Sequence, residues 1–353
     1  MKVIQKSLSD LFGGNAPAQL TLNVNQWEEG EELAKLVPQK DDTYLFPKDM
    51  VRDINAWVNH CEEPLFLFGP TGSGKSTFIK QVCNRMGIPL YRMTISQDTE
   101  LSEIFGHYVL GPNGTEFRYG PAAMAAMNGG WLLLDEIGRG APSVVVGLNG
   151  LLEGGPFVIP ANGETIVPNG NFRIVLTDNT NMSGDESGGY NTSNIQDISV
   201  PDRVGMAIHV PYPVDEERVL IQQTLDAMVD DGALEYWFDQ EGITVKTEQG
   251  TKTGKDVTRD EFISAICQVR DMVRSQSRDG GNDNAGALER TMSVRSLQRW
   301  IRYCVAFIGA PNRGVSAIHY ALSRALTNTC SPSTKVAIHT IVQSVFGIEE
   351  KLQ

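Results

Sequence analysis

The chain has 353 residues, 41% of them hydrophobic and 21% charged, a composition typical of a globular protein with about two domains. Its net charge of −13 argues against a protein that tracks a nucleic-acid backbone, because such proteins usually carry a basic stripe. No apolar run approaches the roughly 20 residues of a membrane-spanning helix, and the N-terminus lacks the apolar stretch of a signal peptide, so we expect a cytoplasmic protein without a membrane partner.

Short apolar runs alternate with helical patterns over residues 41–211. Strands that alternate with helices predict an α/β core with a five-stranded parallel sheet covered on both faces. Weak periodicity before this region predicts an N-terminal arm or small element over residues 1–40. The predicted strands are Leu65–Phe68, Leu90–Thr94, Trp131–Leu134, Arg173–Leu176 and Ala207–Val210, and the predicted helices are Ser76–Met86, Pro121–Met127 and Ser143–Leu152.

Strand signals fade after Pro211, and helical periodicity takes over. This change predicts a smaller α-helical lid domain over residues 212–353. Two polar stretches, Thr244–Arg259 and Ser275–Glu289, are predicted to be exposed loops. The predicted helices of this region are Val214–Val229, Glu261–Arg274, Val294–Ile308, Val315–Leu326 and Lys335–Val345.

A glycine-rich motif, G-x-x-x-x-G-K-S, joins the first predicted strand to the first predicted helix. Its glycines let the backbone bend until N–H groups surround a phosphate, and the helix N-terminus adds partial positive charge. Lys75 is expected to reach the β- and γ-phosphates, and the Ser76 hydroxyl to bind Mg²⁺. The motif therefore predicts a P-loop that binds ATP with Mg²⁺ through Gly69, Pro70, Thr71, Gly72, Ser73, Gly74, Lys75, Ser76 and Thr77.

Two acids, Asp135 and Glu136, end the third predicted strand. After a P-loop, such a pair predicts that Asp135 holds the Mg²⁺ shell and that Glu136 polarises the attacking water. A buried strand that merely ends in an acidic turn is the alternative interpretation.

The fourth predicted strand runs into an Asn-rich segment. In a P-loop sheet this strand lies between the first and the third, so its carboxyl end is expected beside the γ-phosphate. Asn179 is predicted to orient the water, with Asn181 in reserve, and a plain Asn-rich turn is the alternative.

Two arginines are candidates for contact with phosphate. Arg203 precedes the fifth predicted strand, and Arg295 lies one turn into a predicted helix for which Ser293 is a plausible N-cap. A lone arginine is usually a solvated charge or a salt-bridge partner, and spacing alone does not assign either residue to phosphate.

Together these motifs resemble the AAA+ ATPases of the MoxR group, in particular the CobS-type cobaltochelatase ATPase subunits and their CbbQ/NorQ-like relatives. The resemblance covers residues 37–215 and reaches the lid only through Arg295. The chain departs from the family pattern at Asp178, where relatives often carry a small residue, and at Ile137-Gly-Arg-Gly140, which replaces a more usual Asn-Arg-Ala. The stretches that carry the resemblance beyond the P-loop are Val37–Phe46, Glu116–Pro121, Gly129–Ile137 and Gly184–Arg203.

The resemblance implies roles that the spacing leaves open. Asn179 would be sensor 1, Arg203 the arginine finger that reaches a neighbouring subunit, and Arg295 the sensor-2 arginine. The family also implies a homo-oligomeric, hexameric ring in which His107–Arg118 and Phe157–Val167 face the pore or a partner. ATP hydrolysis would then remodel or activate a partner protein, such as one with a von Willebrand A domain, in metal chelation or metalloenzyme maturation.

Two other functions fit the same core. A nucleic-acid motor or restriction-type translocase would need a basic channel or a DNA-reading domain, which this acidic sequence does not display. A non-hydrolysing nucleotide-dependent scaffold would not need Lys75, Asp135, Glu136 and Asn179 together.

Overall fold

The computed structural model describes residues 1–13, 16–28, 30–112, 114–181, 200–247, 250–277, 287–308 and 316–348. They divide into two compact units. The first comprises Met1–Pro70, 74–181 and 200–211, and the second comprises Thr71–Ser73 and the described residues from Tyr212 onward. Most of the resemblance in Gly184–Arg203 and of the predicted loop Ser275–Glu289 lies outside the described residues.

The first unit is a mixed α/β structure with single 3₁₀ turns between some of its elements. Its strands and helices are, in chain order, β1 (Lys2–Ser7), α1 (Leu8–Phe12), β2 (Thr21–Gln26), α2 (Lys48–His60), β3 (Leu65–Phe68), α3 (Lys75–Met86), β4 (Leu90–Thr94), α4 (Leu101–Phe105), β5 (Gly106–Gly111), β6 (Gly114–Tyr119), α5 (Pro121–Asn128), β7 (Trp131–Asp135), α6 (Pro142–Gly147), α7 (Asn149–Leu152), β8 (Phe157–Val158), β9 (Thr165–Ile166), β10 (Arg173–Asp178) and β11 (Met206–His209).

Five parallel strands form the central sheet in the order β11-β3-β10-β7-β4. The five predicted strands and the predicted place of the fourth strand, β10, between β3 and β7 are therefore confirmed. Because all five strands run in the same direction, their carboxyl ends meet at one edge, where ligands of such sheets bind.

Both faces of this sheet are buried, because strand side chains alternate between them. Leu65 and Leu67 of β3 pack in one cluster with Trp57 of α2 and Phe78 of α3. Phe66 belongs instead to a second cluster that includes residues of α5, α6 and α7. The sheet thus packs between two apolar layers, which hold in place the edge at which its strands end.

The N-terminal residues form a small antiparallel hairpin, in which β1 pairs with β2. Leu8 and Leu22 are buried in the same cluster as α2 and α3. The Trp27 indole donates a hydrogen bond to the carbonyl of Gly87 at 2.6 Å. This hairpin therefore packs into the core of the first unit.

Several helical features of the first unit differ from the sequence analysis, which did not predict the short helices α1 and α4. The predicted helix Ser143–Leu152 is two short helices, α6 and α7, which meet at Leu148. Gly147 and Gly150 have low helix propensity, which explains why one continuous helix is not maintained. Helix α2 was not predicted, although its buried residues, among them Met50, Val51, Ile54 and Trp57, follow a helical spacing.

Two hairpins extend from the first unit. Strand β5 pairs with β6, and β8 pairs with β9, both antiparallel. Leu110 near the tip of the first hairpin is 90% exposed. The Tyr119 hydroxyl of the first hairpin donates to Glu164 of the second at 2.8 Å, so the two hairpins are adjacent.

The second unit is mostly helical and has its own apolar core, which includes Trp237, Phe262, Trp300 and Phe346. Within the described ranges, no helix has both the length and the apolarity to cross a membrane. The elements are α8 (Val214–Met228), α9 (Asp231–Glu241), β12 (Thr244–Thr247), β13 (Gly250–Thr253), α10 (Arg259–Gln276), α11 (Val294–Ala306), α12 (Ala317–Ala325) and α13 (Pro332–Phe346).

The prediction that Thr244–Arg259 is an exposed loop was wrong. Strands β12 and β13 pair as an antiparallel hairpin, and Val245 is buried in the core of the second unit. A two-stranded ribbon with one covered face needs few apolar residues, so its sequence resembles a loop. Thr258 then caps α10 in a capping box with Glu261.

Candidate nucleotide-binding site

The P-loop connects the end of β3 to the start of α3 and depends on its glycines. Gly69 has a φ of 146°, and a Cβ atom there would lie 2.4 Å from the carbonyl oxygen of Val210. Gly74, the residue before α3, has a φ of 101°, which L-residues with side chains rarely adopt. The glycine positions of the motif are therefore required by backbone geometry.

Lys75 is buried at the start of α3, with 7% of its surface exposed. Its Nζ donates to the carbonyl oxygens of Gly69 at 2.7 Å and Pro70 at 3.0 Å. A third contact, at 3.1 Å, joins Nζ to Oδ1 of Asn179, 104 residues away. The structure thus brings together the P-loop lysine and the asparagine predicted to be sensor 1.

Asp135 at the end of β7 is the centre of a second set of contacts. Ser76 Oγ donates to its Oδ1 at 2.8 Å, and the Thr177 hydroxyl donates to the same oxygen. Arg92 of β4 donates to Oδ2 from Nη2 at 2.5 Å and from Nε at 3.1 Å. The predicted Mg²⁺ residues, Ser76 and Asp135, are therefore in direct contact.

Opposing influences act on the pKa of the Asp135 carboxyl. Burial raises this pKa, while the hydrogen bonds from Thr177, Arg92 and Ser76 lower it, and the net result is a pKa below the usual value. The site therefore holds an ionised carboxylate beside a hydroxyl, which is a donor set that Mg²⁺ prefers.

Glu136 has an unusual backbone. Its φ of 60° and ψ of 44° make it the one non-glycine residue with positive φ in the part of the chain that the structure describes. Such a conformation costs about 1–2 kcal/mol for an L-residue, and strained residues of this kind cluster at functional sites. Its carboxylate pairs with Arg139 Nη1 at 2.9 Å, and both side chains are partly exposed.

Gly138 and Asp178 belong to the two departures from the family pattern, and they are neighbours in space. A Cβ atom at Gly138 would lie 2.5 Å from Oδ2 of Asp178. Asp178 is 1% exposed and accepts hydrogen bonds from the backbone N–H and the hydroxyl of Thr180, at 3.1 and 2.6 Å. The missing side chain at 138 therefore makes room for the carboxylate that precedes Asn179.

The two candidate arginines do not appear in these contacts. Arg203 ends a 3₁₀ turn, Pro201–Arg203, and its guanidinium contacts Glu153. Arg295 lies in α11 of the second unit, where Ser293 is the N-cap and accepts from the Ser296 N–H at 3.2 Å. The phosphate roles of both arginines stay predictions.

Sequence reasoning missed two members of the site, Arg92 and Thr177. Arg92 is the one charged residue in strand β4, and Thr177 immediately precedes the predicted Asp178–Asn181 turn. The signal available in the sequence was a charged or hydroxyl residue within a strand next to the acidic one. It is weak, because only strand order and register bring these side chains to Asp135.

The residues present fit ATP and Mg²⁺. A glycine-lined turn precedes a helix N-terminus, and Lys75 supplies a buried ammonium whose donors are now directed at carbonyl oxygens of the turn. Ser76 and Asp135 supply a hydroxyl and a carboxylate on adjacent elements. Phosphate oxygens and a divalent cation are the ligands that match these two sets of groups.

Comparison with known proteins agrees with this geometry. Residues 64–193 match the family model "AAA domain (dynein-related subfamily)". The chain is 24% identical over 351 residues to the aerobic cobaltochelatase subunit CobS of a Sinorhizobium species, an alignment that covers 98% of this chain and 91% of CobS.

Two further relatives align with parts of the chain. The denitrification regulatory protein NirQ of Stutzerimonas stutzeri is 27% identical over 45% of this chain and 56% of its own length. The protein NorQ of Paracoccus denitrificans is 29% identical over 53% of this chain and 64% of its own length. The predicted resemblance to MoxR-type proteins is confirmed by these similarities.

Proposed function

Since this chain carries an AAA domain and is similar to MoxR-type AAA+ ATPases, we propose that it is an ATP hydrolase that forms a ring and remodels or activates a partner protein. The observation that carries the proposal is the convergence of Lys75, Ser76, Asp135 and Asn179 at the carboxyl edge of the parallel sheet.

Each residue has a defined task in this proposal. Lys75 and the P-loop amides bind the phosphates of ATP, and Asn179, already in contact with Lys75, orients the attacking water. Ser76 and Asp135 would hold Mg²⁺, which when bound neutralises negative charge on the phosphates. Glu136 takes a proton from the water.

Arg203 is proposed to act on the ATP of a neighbouring subunit, as the arginine finger of a hexameric ring. Its position near an exposed carboxylate, Glu153, supports a role at the protein surface and not within the Lys75 cluster. Arg295 is proposed as the sensor-2 arginine. The partner we propose is a protein with a von Willebrand A domain, with metalloenzyme maturation or metal chelation as the process served.

Substitution of Glu136 tests the hydrolase. We expect Glu136→Gln to bind ATP with near-normal affinity and to hydrolyse it about 10²–10⁴-fold more slowly, because a general base serves the water and not the bound nucleotide. Lys75→Ala should lose binding as well, because it removes a charge that contacts phosphate. Phosphate release and the binding of a fluorescent ATP analogue measure the two properties.

A matched control for Glu136→Gln is Glu32→Gln. Glu32 also forms an ion pair three residues along the chain, with Lys35 at 2.7 Å, on an exposed surface. This variant should hydrolyse ATP at the wild-type rate. A wild-type rate in Glu136→Gln would show that the base is misassigned, and no phosphate release by the wild-type protein would favour the scaffold.

Nucleotide-dependent assembly tests the ring. ATP bound between subunits stabilises the assembled form by mass action. Light scattering of Glu136→Gln at micromolar concentration should therefore show a larger species with ATP and Mg²⁺ than without nucleotide. A strict monomer under both conditions would contradict the ring, and the same variant can serve as an ATP-locked bait for the partner.

A further inference from the structure

The guanidinium of Arg203 is held by a carboxylate from a distant part of the chain. Its Nε and Nη2 donate to Oε1 of Glu153 at 3.1 and 2.8 Å, across a separation of 50 residues. A guanidinium has two edges that can form paired hydrogen bonds, and Glu153 contacts the Nε–Nη2 edge. The Nη1–Nη2 edge is therefore directed away from this carboxylate.

The backbones on both sides of this contact are anchored in one apolar cluster. Glu153 directly follows Leu151 and Leu152, which are 1% and 2% exposed. Val200, which precedes the 3₁₀ turn of Arg203, is fully buried in the same cluster. The positions from which the two side chains extend are thus fixed by packing before the side chains meet.

The ion pair itself contributes little to folding. The side chain of Glu153 is 59% exposed and that of Arg203 is 26% exposed. Exposed ion pairs of this kind contribute little to the free energy of folding. A long arginine side chain does, however, lose much rotamer freedom when it must meet a phosphate in one orientation. A contact that orients the guanidinium in advance lowers that loss at the moment of reaction.

We propose that Glu153 is a positioning residue that orients Arg203 for contact with the ATP of the neighbouring subunit. The inference rests on the proposed function, in which Arg203 acts between subunits. Glu153 touches neither nucleotide nor water in this scheme, and it acts only through the guanidinium.

Truncation of Glu153 should lower the rate constant and leave binding unchanged. We expect Glu153→Ala to reduce kcat about 10- to 100-fold, as small misplacements of catalytic groups do, with KM for ATP within about twofold of the wild type. Glu153→Gln keeps an oxygen that can accept a hydrogen bond and should retain more activity than Glu153→Ala. Glu32→Ala, which removes another exposed ion pair, should leave kcat unchanged.

Mixing experiments identify the side of the interface on which Glu153 acts. An interface hydrolyses ATP when one subunit supplies Glu136 and its neighbour supplies a correctly held Arg203. Glu153→Ala mixed with Glu136→Gln should therefore recover activity, because Glu136→Gln subunits still present an intact Arg203. Glu153→Ala mixed with Arg203→Ala should recover none, because both variants are defective in the subunit that supplies the arginine.

The mixture of Glu136→Gln with Arg203→Ala is the positive control for subunit exchange. If Arg203→Ala alone is fully active, the proposed trans role of Arg203 fails, and the positioning role of Glu153 fails with it. Absence of phosphate release by the wild-type protein would instead overturn the proposed hydrolase. If Arg203→Ala is inactive but Glu153→Ala has wild-type kcat or a higher one, only the positioning role is overturned. Recovery of activity when Glu153→Ala is mixed with Arg203→Ala would also overturn it, because Glu153 would then act in the subunit that holds the nucleotide. Absence of recovery with either partner would overturn it too, because this result indicates a folding defect.

Discussion

Asp135 in the first unit and Glu217 in the second are both buried carboxylates, 6% and 1% exposed, but their partners differ. Asp135 accepts hydrogen bonds from two neutral hydroxyls and from Arg92, whose side chain is 42% exposed. Glu217 pairs with two buried arginines, Arg270 at 3.1 Å and Arg274 at 2.5 Å.

The difference is that the partners of Asp135 can be exchanged for a cation, whereas the partners of Glu217 are held in place. The hydroxyls around Asp135 carry no charge, and Arg92 can move into solvent, so a divalent cation can replace these partners. Arg274 cannot leave Glu217 without losing the carboxylate that pairs with its buried guanidinium, which is strongly unfavourable. Arg270 would lose its buried partner as well and would keep only the exposed Asp271, with which it pairs at 2.8 Å. Burial alone therefore does not distinguish Asp135 from Glu217, whereas the exposure and charge of their partners do.

The largest expected effect is on catalysis at Asp135. Asp135→Asn should slow ATP hydrolysis about 10³-fold, equivalent to about 4 kcal/mol, because the amide is a poor ligand for the cation that neutralises the phosphates. Its unfolding free energy should fall by only about 1–2 kcal/mol, because hydroxyls can still donate to the amide oxygen. Phosphate release and urea unfolding measure the two quantities, and a variant that is inactive because it is unfolded would contradict the comparison.

Substitution of Glu217 should instead affect the unfolding free energy more than nucleotide binding. Glu217→Gln should destabilise the second unit by about 3 kcal/mol, because it leaves two buried guanidiniums without their shared carboxylate. Urea unfolding of the full chain measures this loss. Nucleotide binding at low temperature, where the protein is still folded, should be unchanged.

An exposed pair in the same unit is the control. Arg218 pairs with Asp260 at 2.6 Å, and these side chains are 41% and 80% exposed. Asp260→Ala should cost about 0–1 kcal/mol. Equal losses for Asp260→Ala and Glu217→Gln would show that burial does not distinguish the two pairs.

A buried histidine pair in the second unit extends the comparison to pH. His319 Nε2 donates to the Ile348 carbonyl at 2.9 Å. Burial lowers the pKa of both histidines, and in a neutral His319 ring Nδ1 is then the acceptor for the Nδ1–H of His339 at 2.8 Å. His339 Nε2 then accepts from the Thr327 hydroxyl at 2.9 Å. Both rings are neutral in this chain of hydrogen bonds.

Acid should therefore destabilise the second unit. Burial lowers the pKa of His339 from its usual 6.5 to about 3, and the neighbouring His319 and Lys335 lower it further. Because the folded-state pKa is depressed, the contribution to stability is complete above pH 6.5 and is lost as pH falls from 6.5 toward 3. The unfolding free energy should drop by about 2 kcal/mol between pH 7 and pH 5.

Urea unfolding at several pH values measures this loss. His339→Gln should flatten the dependence between pH 7 and pH 5, whereas His107→Gln, at an exposed histidine, should leave it as in the wild type. An unchanged slope in His339→Gln would show that this pair is not the source.

Most residues of the candidate nucleotide site could be identified in the sequence, because they lie in short motifs with local geometry. The P-loop spacing fixes the positions of Lys75 and Ser76 relative to a strand and a helix, and an acidic pair after an apolar strand marks Asp135. The hairpin β12–β13 was missed because a ribbon with one covered face has a weak pattern. Helix α2 was missed although its apolar spacing was present.

Two departures from the family pattern became intelligible only in three dimensions. Gly138 and Asp178 are 40 residues apart in sequence, yet a side chain at one would occupy the space of the other. Neither position alone suggests this compensation. The structure explains it because β7 and β10 are neighbours in the sheet.

The sequence by itself determined which segments form the five strands of the central sheet, and it pointed to the residues that are proposed to bind phosphate and Mg²⁺. Only the tertiary structure decided which side chains surround them: the Arg92 and Thr177 contacts with Asp135, the Asn179 contact with Lys75, and the Glu153 contact with Arg203. The physical reason is that motifs depend on local backbone geometry, whereas these contacts depend on strand order and on helix packing between residues that are 40 or more positions apart.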